Sequence, residues 1–254
     1  MQRVIFKVKN TVVNSRVIFF AMIISVGMAS CEKDKNNNSS TSGSTTNFTR
    51  TNLVSNSSQD SGARVDATLV NGWGIAFSPA GNPWISSQAG GMAEAYDATG
   101  NQVLPPVSIP SASSATGGHP TGAVFNSSAT AFVLPGGGVA KFIFVGDDGV
   151  ISGWSSGAAA ERVLDNSSTS SYTGVTIAND GNGIFLYAAN FKQSRIEVLD
   201  SSFAVVNKTF GDPDLPEGYS PSFMLRTRNW VLMEMKKKEW VLVMLIFTNL
   251  MEAS

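Results

Sequence analysis

Side chains able to do chemistry are few and scattered in this chain of 254 residues. His119 is the only histidine and lies in the turn-forming stretch Gly117-Gly118-His119-Pro120. With no second histidine, and with the sole cysteine far upstream at Cys31, a transition metal would have to be held by carboxylates alone. His119 therefore reads as a solvated loop residue. Asp147-Asp148-Gly149 sets two carboxylates side by side, which suits a hard cation, but the alternating oxygen ligands of a calcium loop do not follow. A hairpin turn explains the triplet more simply. Ser86 and Ser152 have no base at a recognised spacing, and no G-x-S-x-G elbow occurs. Gly136-Gly137-Gly138 precedes neither a Lys-Ser/Thr pair nor a helix start, so it reads as a flexible loop and not a phosphate cradle. No catalytic residue, metal ligand or cofactor is assigned. A metal-dependent hydrolase of lactonase type would have carboxylates such as Asp97, Asp148 or Asp200 converging on the central channel.

Covalent chemistry is legible at one residue. Arg3, Lys7, Lys9 and Arg16 form a cationic start, Val17 to Val26 is almost unbroken hydrocarbon, and Gly27-Met28-Ala29-Ser30 leads into Cys31. The apolar run is about fifteen residues, against about twenty for a membrane-spanning helix, so a cleaved signal is favoured over a permanent anchor. The segment resembles a bacterial lipobox, with Met28 in place of the usual leucine. The resemblance implies that residues 1–30 are removed and that the Cys31 thiol carries the lipid. A lone cysteine has no disulfide partner to explain it otherwise. Residues 31–50 read as a solvated tether, Glu32-Lys33-Asp34-Lys35 followed by Asn, Ser, Thr and Gly. The expected location is the bacterial cell envelope, lipid-anchored, at the outer membrane.

From residue 51 the composition becomes foldable, and residues 51–222 carry six basic against fourteen acidic side chains, a net of −8. Such a surface repels phosphates, which excludes nucleic acid as a partner. Helix-period stripes are absent, and one pattern recurs three times. Gly74-Ile75-Ala76-Phe77 continues to Trp84-Ile85-Ser86 and closes near Ala95-Tyr96-Asp97. Thr121-Gly122-Ala123-Val124-Phe125 leads to Phe142-Ile143-Phe144-Val145 and Val150 to Trp154. Thr173-Gly174-Val175-Thr176-Ile177 leads to Phe185 to Ala189 and Arg195 to Asp200. The leading glycines are 48 and 52 residues apart, a period that fits one four-stranded propeller blade. The expected fold is all-β, an incomplete β-propeller of about three blades and part of a fourth. In the last strand, Ile196, Val198 and Leu199 should make blade contacts, while Arg195, Glu197 and Asp200 should stay wet or cap turns.

The motifs Leu69 to Pro79, Pro120 to Asn126, Gly149 to Trp154 and Leu186 to Phe191 resemble, in order, those of an uncharacterised family of secreted bacterial β-propeller proteins, similar to NHL-repeat and lactonase-type propellers. The resemblance covers about residues 51–221. It implies a fold and no particular activity.

Residues 223–254 break the pattern: they hold none of the 24 glycines or 10 prolines but five of the nine methionines. A shift of the reading frame by two bases forward accounts for this. Each new codon then takes its second and third bases from the next residue. Trp230-Val231, Met233-Glu234, Trp240-Val241 and Met251-Glu252 must all become glycine, whatever codons were used. With permitted synonyms the end of the tail reads GYVDIYKFDGS, similar to the strand from Arg195 to Asp200. The rival reading takes Trp240 to Met251, behind Lys236-Lys237-Lys238, as a hydrophobic helix or hairpin, too short to span a bilayer. The expectation is a frameshifted, non-native tail. Function is expected to be noncatalytic, a lipoprotein binding or scaffolding module with a protein or glycan partner. The alternatives are a lactonase-type hydrolase or a truncated product without function.

Overall fold

The computed structural model describes residues 51–59, 63–208, 219–226, 230–237 and 242–248. Cys31, the signal segment and the tether lie outside the described residues, as do residues 227–229, 238–241 and 249–254 of the tail. Among the described residues seventeen strands run in chain order: β1 (Val54–Ser55), β2 (Arg64–Val65), β3 (Gly72–Phe77), β4 (Pro83–Ser87), β5 (Met92–Ala95), β6 (Val107–Ser108), β7 (Pro120–Phe125), β8 (Phe142–Gly146), β9 (Val150–Trp154), β10 (Glu161–Asp165), β11 (Tyr172–Asn179), β12 (Ile184–Asn190), β13 (Arg195–Leu199), β14 (Val205–Val206), β15 (Tyr219–Arg226), β16 (Trp230–Lys237) and β17 (Leu242–Thr248).

Three of the sheets are four-stranded antiparallel meanders, β3-β4-β5-β6, β7-β8-β9-β10 and β11-β12-β13-β14, each one propeller blade; β15-β16-β17 makes a three-stranded fourth sheet. The segment read as out of frame contributes to this last sheet, since β15 runs across residue 222 and β16 and β17 lie beyond it. The first three strands of each complete blade are those marked by the recurring pattern. The fourth strands, β6, β10 and β14, were not legible: two of them are only two residues long.

The innermost strands β3, β7, β11 and β15 lie side by side, each against the next. This explains the spacing of the glycines. A Cβ on Gly74 would sit 2.8 Å from the Thr121 carbonyl oxygen and 2.9 Å from the Ala123 nitrogen; one on Gly122 would sit 3.1 Å from the Val175 nitrogen. At Gly74 all three neighbours are backbone atoms under 3 Å away, so glycine is required there, and at Gly122 a side chain would be tightly crowded. A threonine completes the second and third of these junctions. Thr121 Oγ1 donates to the Tyr172 carbonyl at 2.6 Å, and Thr173 Oγ1 donates to the Pro221 carbonyl at 3.3 Å.

Two apolar interfaces fill the space between blades. Ala76, Trp84, Ala93, Ala95 and Val107 of the first blade pack on Ala123, Phe142 and Phe144 of the second, with Trp84 and Phe142 stacked at 4.1 Å between ring centres. Ile143, Val145 and Ile151 of the second pack on Val175, Ile177, Leu186 and Leu199 of the third. One expectation is corrected here. Ile196, Val198 and Leu199 are buried as expected and Asp200 caps a turn, but Glu197 is buried, not wet. Alternation predicts a polar outward face only for a sheet with one free side, and both sides of this strand are covered.

Candidate functional site

The blade end at which β3, β7 and β11 begin carries a hydrogen-bonded rim. Asn71, held at a φ of 54° just before β3, donates through Nδ2 to Gln88 Oε1 at 2.9 Å. Gln88, in the turn between β4 and β5, donates through Nε2 to Asp147 Oδ2 at 2.8 Å. The other oxygen of Asp147 lies 3.3 Å from Nδ1 of His119. Four side chains from two blades thus form one polar line, with the imidazole more than half exposed at its end. Asp148 serves the turn instead: it accepts from the backbone N–H of Val150 at 3.2 Å and of His119 at 3.3 Å. Burial pushes its carboxyl up from the ordinary value, against the pull of those two bonds.

The hairpin reading of Asp147-Asp148-Gly149 holds, with Gly149 at a φ of 79° and no room for a Cβ, which would meet Ser167 Cα at 2.7 Å. His119 is a loop residue as expected, yet it is not free, because Asp147 holds it. Sequence reading missed Asn71 and Gln88. Only their placement just before an inner strand and just after a second one could have signalled them.

Asp97, Asp148 and Asp200, the carboxylates named for the hydrolase reading, do not converge. Asp97 follows β5 and Asp200 follows β13, both at the blade end opposite Asp148. Asp97 accepts from Thr99 Oγ1 at 2.7 Å and from the Thr99 and Asn101 N–H groups, which hold its carboxyl down to about 2. Asp200 is lowered in the same way by Ser202 Oγ at 2.6 Å and the N–H groups of Ser202 and Ala204. Both carboxylates cap their own turns. Ser86 and Ser152 are buried in their sheets. Gly136 to Gly138 form an ordered turn, its Gly136 N–H bonded to Glu161 at 2.7 Å.

The cavity between the inner strands has a volume of about 290 Å³ and is lined by Gly74–Phe77, Thr121–Phe125, Ser127 and Thr173–Ile177. Among the described residues no lining residue is ionisable. Among the described residues no group of three His, Cys, Asp or Glu is placed to hold a metal.

One further polar group stands out by comparison between blades. Glu197 in β13 is buried but fully served: the Tyr172 hydroxyl donates at 2.7 Å, Asn166 at 3.1 Å, Asn190 at 3.3 Å and Arg195 at 3.0 Å. Glu94 occupies the matching position in β5, three residues before the turn-capping Asp97 as Glu197 is before Asp200, and is 0% exposed. None of those four donors has a counterpart there. Aligned on Gly74 and Gly174, on Asp97 and Asp200, and on the strand pairing, Gly72 stands for Tyr172, Asp66 for Asn166, Ser87 for Asn190 and Met92 for Arg195. Neither oxygen of Glu94 has a hydrogen-bond partner among the described residues. Burial, and then the Asp66 charge, raise its carboxyl above the ordinary value, against a downward pull from the neighbouring Thr68 and Gln102 side chains. Burial also pushes Asp66 up, but donors outweigh it: Thr68 Oγ1 at 2.6 Å, Tyr96 at 2.9 Å and Gln102 at 2.6 Å hold it below.

No protein-family model and no curated protein matches this chain. Solved structures similar to it include the catalytically inactive virginiamycin B lyase of Staphylococcus aureus with quinupristin (14% identity, TM-score 0.47, 68% of this chain on 54% of the lyase) and a streptogramin B lyase (14%, 0.47, 70% on 55%). The PQQ-bound aldose sugar dehydrogenase of Streptomyces coelicolor is a further one (15%, 0.29, 70% on 81%). The chain spans about half the length of the two lyases. The propeller fold is read here from the blades themselves.

Proposed function

We propose that this chain is a noncatalytic binding lipoprotein, attached to the cell envelope through lipidated Cys31, whose rim of Asn71, Gln88, Asp147 and His119 binds a neutral glycan. The observation that carries this reading is the rim itself. It presents amide, carboxylate and imidazole groups already fixed by one another across two blades, so little side-chain freedom is lost when hydroxyl groups add to them. The acidic balance of residues 51–222 disfavours polyanionic ligands. Catalysis has less support: the inner cavity has no ionisable lining, and Asp97 and Asp200 are engaged in their own turns at the far end.

The test is equilibrium binding of the full chain to a panel of neutral oligosaccharides. Gln88→Ala and His119→Ala should each weaken binding roughly tenfold, or about 1.4 kcal/mol, with the melting temperature unchanged. Binding that survives both substitutions, or binding to proteins but to no glycan, would overturn the assignment. Metal-dependent hydrolysis of a lactone would do so in favour of the enzyme.

A further inference from the structure

Among the described residues no blade precedes the first one, and Ile75 and Phe77 on its open side stay more than half exposed. Part of that side is covered instead by the segment around Asp66, which reaches Tyr96 and Gln102. Beneath this cover lie two acids. Glu94 is 0% and Asp66 8% exposed, and neither lines the cavity between the inner strands. The Asp66 charge acts on Glu94, and the side chains of Thr68 and Gln102 neighbour both acids. Among the described residues neither acid has an ion-pair partner. Arg64, whose charge reaches Tyr96, is exposed and pairs with neither. The third blade shows what is missing. There Arg195 balances Glu197 at 3.0 Å and the neighbouring Asn166 is neutral, so the site sums to zero. In the first blade Met92 stands for the arginine and Asp66 for the asparagine, so the same site holds two carboxylates and no cation. Keeping the buried acid, adding a second and deleting the internal cation points to a positive charge supplied from solution.

We infer that Asp66 and Glu94 together bind a hard divalent cation, calcium being the fit, between the first blade and the segment that covers it. The donor set is all oxygen: two carboxylates, the Thr68 hydroxyl and the Gln102 amide, whose Oε1 is presented once the amide turns. With no sulfur or imidazole among them, these groups suit neither zinc nor copper. Glu94 is the part of the site that nothing else explains. Both its oxygens lack a hydrogen-bond partner among the described residues, and a coordinated ion is a partner for both at once. Thr68 is exposed and gives the ion its way in. Asp66 lies on the covering segment and Glu94 on β5, so the ion ties the two together. With only two carboxylates the affinity belongs with that of extracellular calcium modules, a Kd of about 10⁻⁴–10⁻³ M.

The test is thermal melting of the full chain at pH 8, in EDTA and in about 10 mM calcium. That excess of about 10–100 over the Kd should raise the melting temperature by about 3–8 °C. Terbium, a luminescent stand-in for calcium, should emit by energy transfer from Tyr96, whose hydroxyl is 2.9 Å from Asp66, and calcium should displace it. Glu94→Gln should lose the calcium shift and bind terbium at least about tenfold more weakly, while melting no lower than the parent in EDTA. Met92→Arg rebuilds the Arg195–Glu197 pair in the first blade. It should melt higher than the parent in EDTA and gain nothing from calcium. A parent that melts alike in EDTA and in calcium overturns the inference and leaves a proton as the counter-charge. So does a calcium shift of the same size in Glu94→Gln, which would put the ion elsewhere. None of these readouts depends on glycan binding at the rim, so the two readings fail separately.

Discussion

At the scale of single residues, Glu94 and Glu197 form a natural experiment. The same buried position carries the same acid in two blades, once with four donors and once with none of those four. Burying a carboxylate without strong donors is costly, so the group's folded pKa lies above its unfolded one. A raised pKa stabilises the fold fully below the unfolded value of about 4.3, and that contribution is lost as pH rises through the folded pKa. Glu94→Gln keeps the shape, adds a donor toward Asp66 and removes the titration. Thermal melts should therefore show the variant more stable than the parent at pH 8, by about 1 kcal/mol or roughly 2–4 °C. The gap should close near pH 4. A constant difference across that range would mean that Glu94 does not titrate with folding.

At the scale of elements, the inner strands and their junctions set the rules. β3 and β7 meet backbone to backbone at Gly74 and Gly122, with no space for a methyl group. Gly74→Ala should cost about 1–3 kcal/mol through the displaced β7 backbone. For a chain of this size that lowers the melting temperature by roughly 2–4 °C per kcal/mol, and calorimetry of the purified variant checks it. A neutral outcome would mean that the blades can slide apart at little cost. The recurring glycine was visible in the sequence because a backbone contact leaves a fixed residue type at a fixed spacing. The short fourth strands left no such mark. β6 and β14 are two residues each, held by pairing to β5 and β13 and not by any side-chain pattern of their own.

For the whole molecule, attachment and charge make separate predictions. Cys31→Ser should move the protein from the membrane to the soluble fraction on cell fractionation, since two acyl chains give stable anchoring and none remains without the thiol. Membrane association that persists would point to an uncleaved N-terminal segment. The net charge of −8 over residues 51–222 predicts no measurable retention on immobilised DNA at 150 mM salt. Retention there would require a cationic face that the propeller residues do not supply.

The candidate site divides along the same line as the fold. His119 and the Asp147-Asp148-Gly149 hairpin were legible, because a turn depends on local residues. Asn71 and Gln88 were not, because nothing local marks a side chain that bonds 17 or 59 residues away. Glu197 was misjudged for a related reason: alternation along a strand is local, whereas burial on the second side depends on the next blade. What the sequence determined by itself was whatever repeats or follows from neighbours along the chain, namely blade period, inner glycines, turn positions, charge balance and the break after residue 222. Tertiary structure alone decided which carboxylates share an end of the blades, which acid is buried without donors and which blade face stands open. Those depend on how one sheet lies on another, and packing between distant segments leaves no periodic trace in either one.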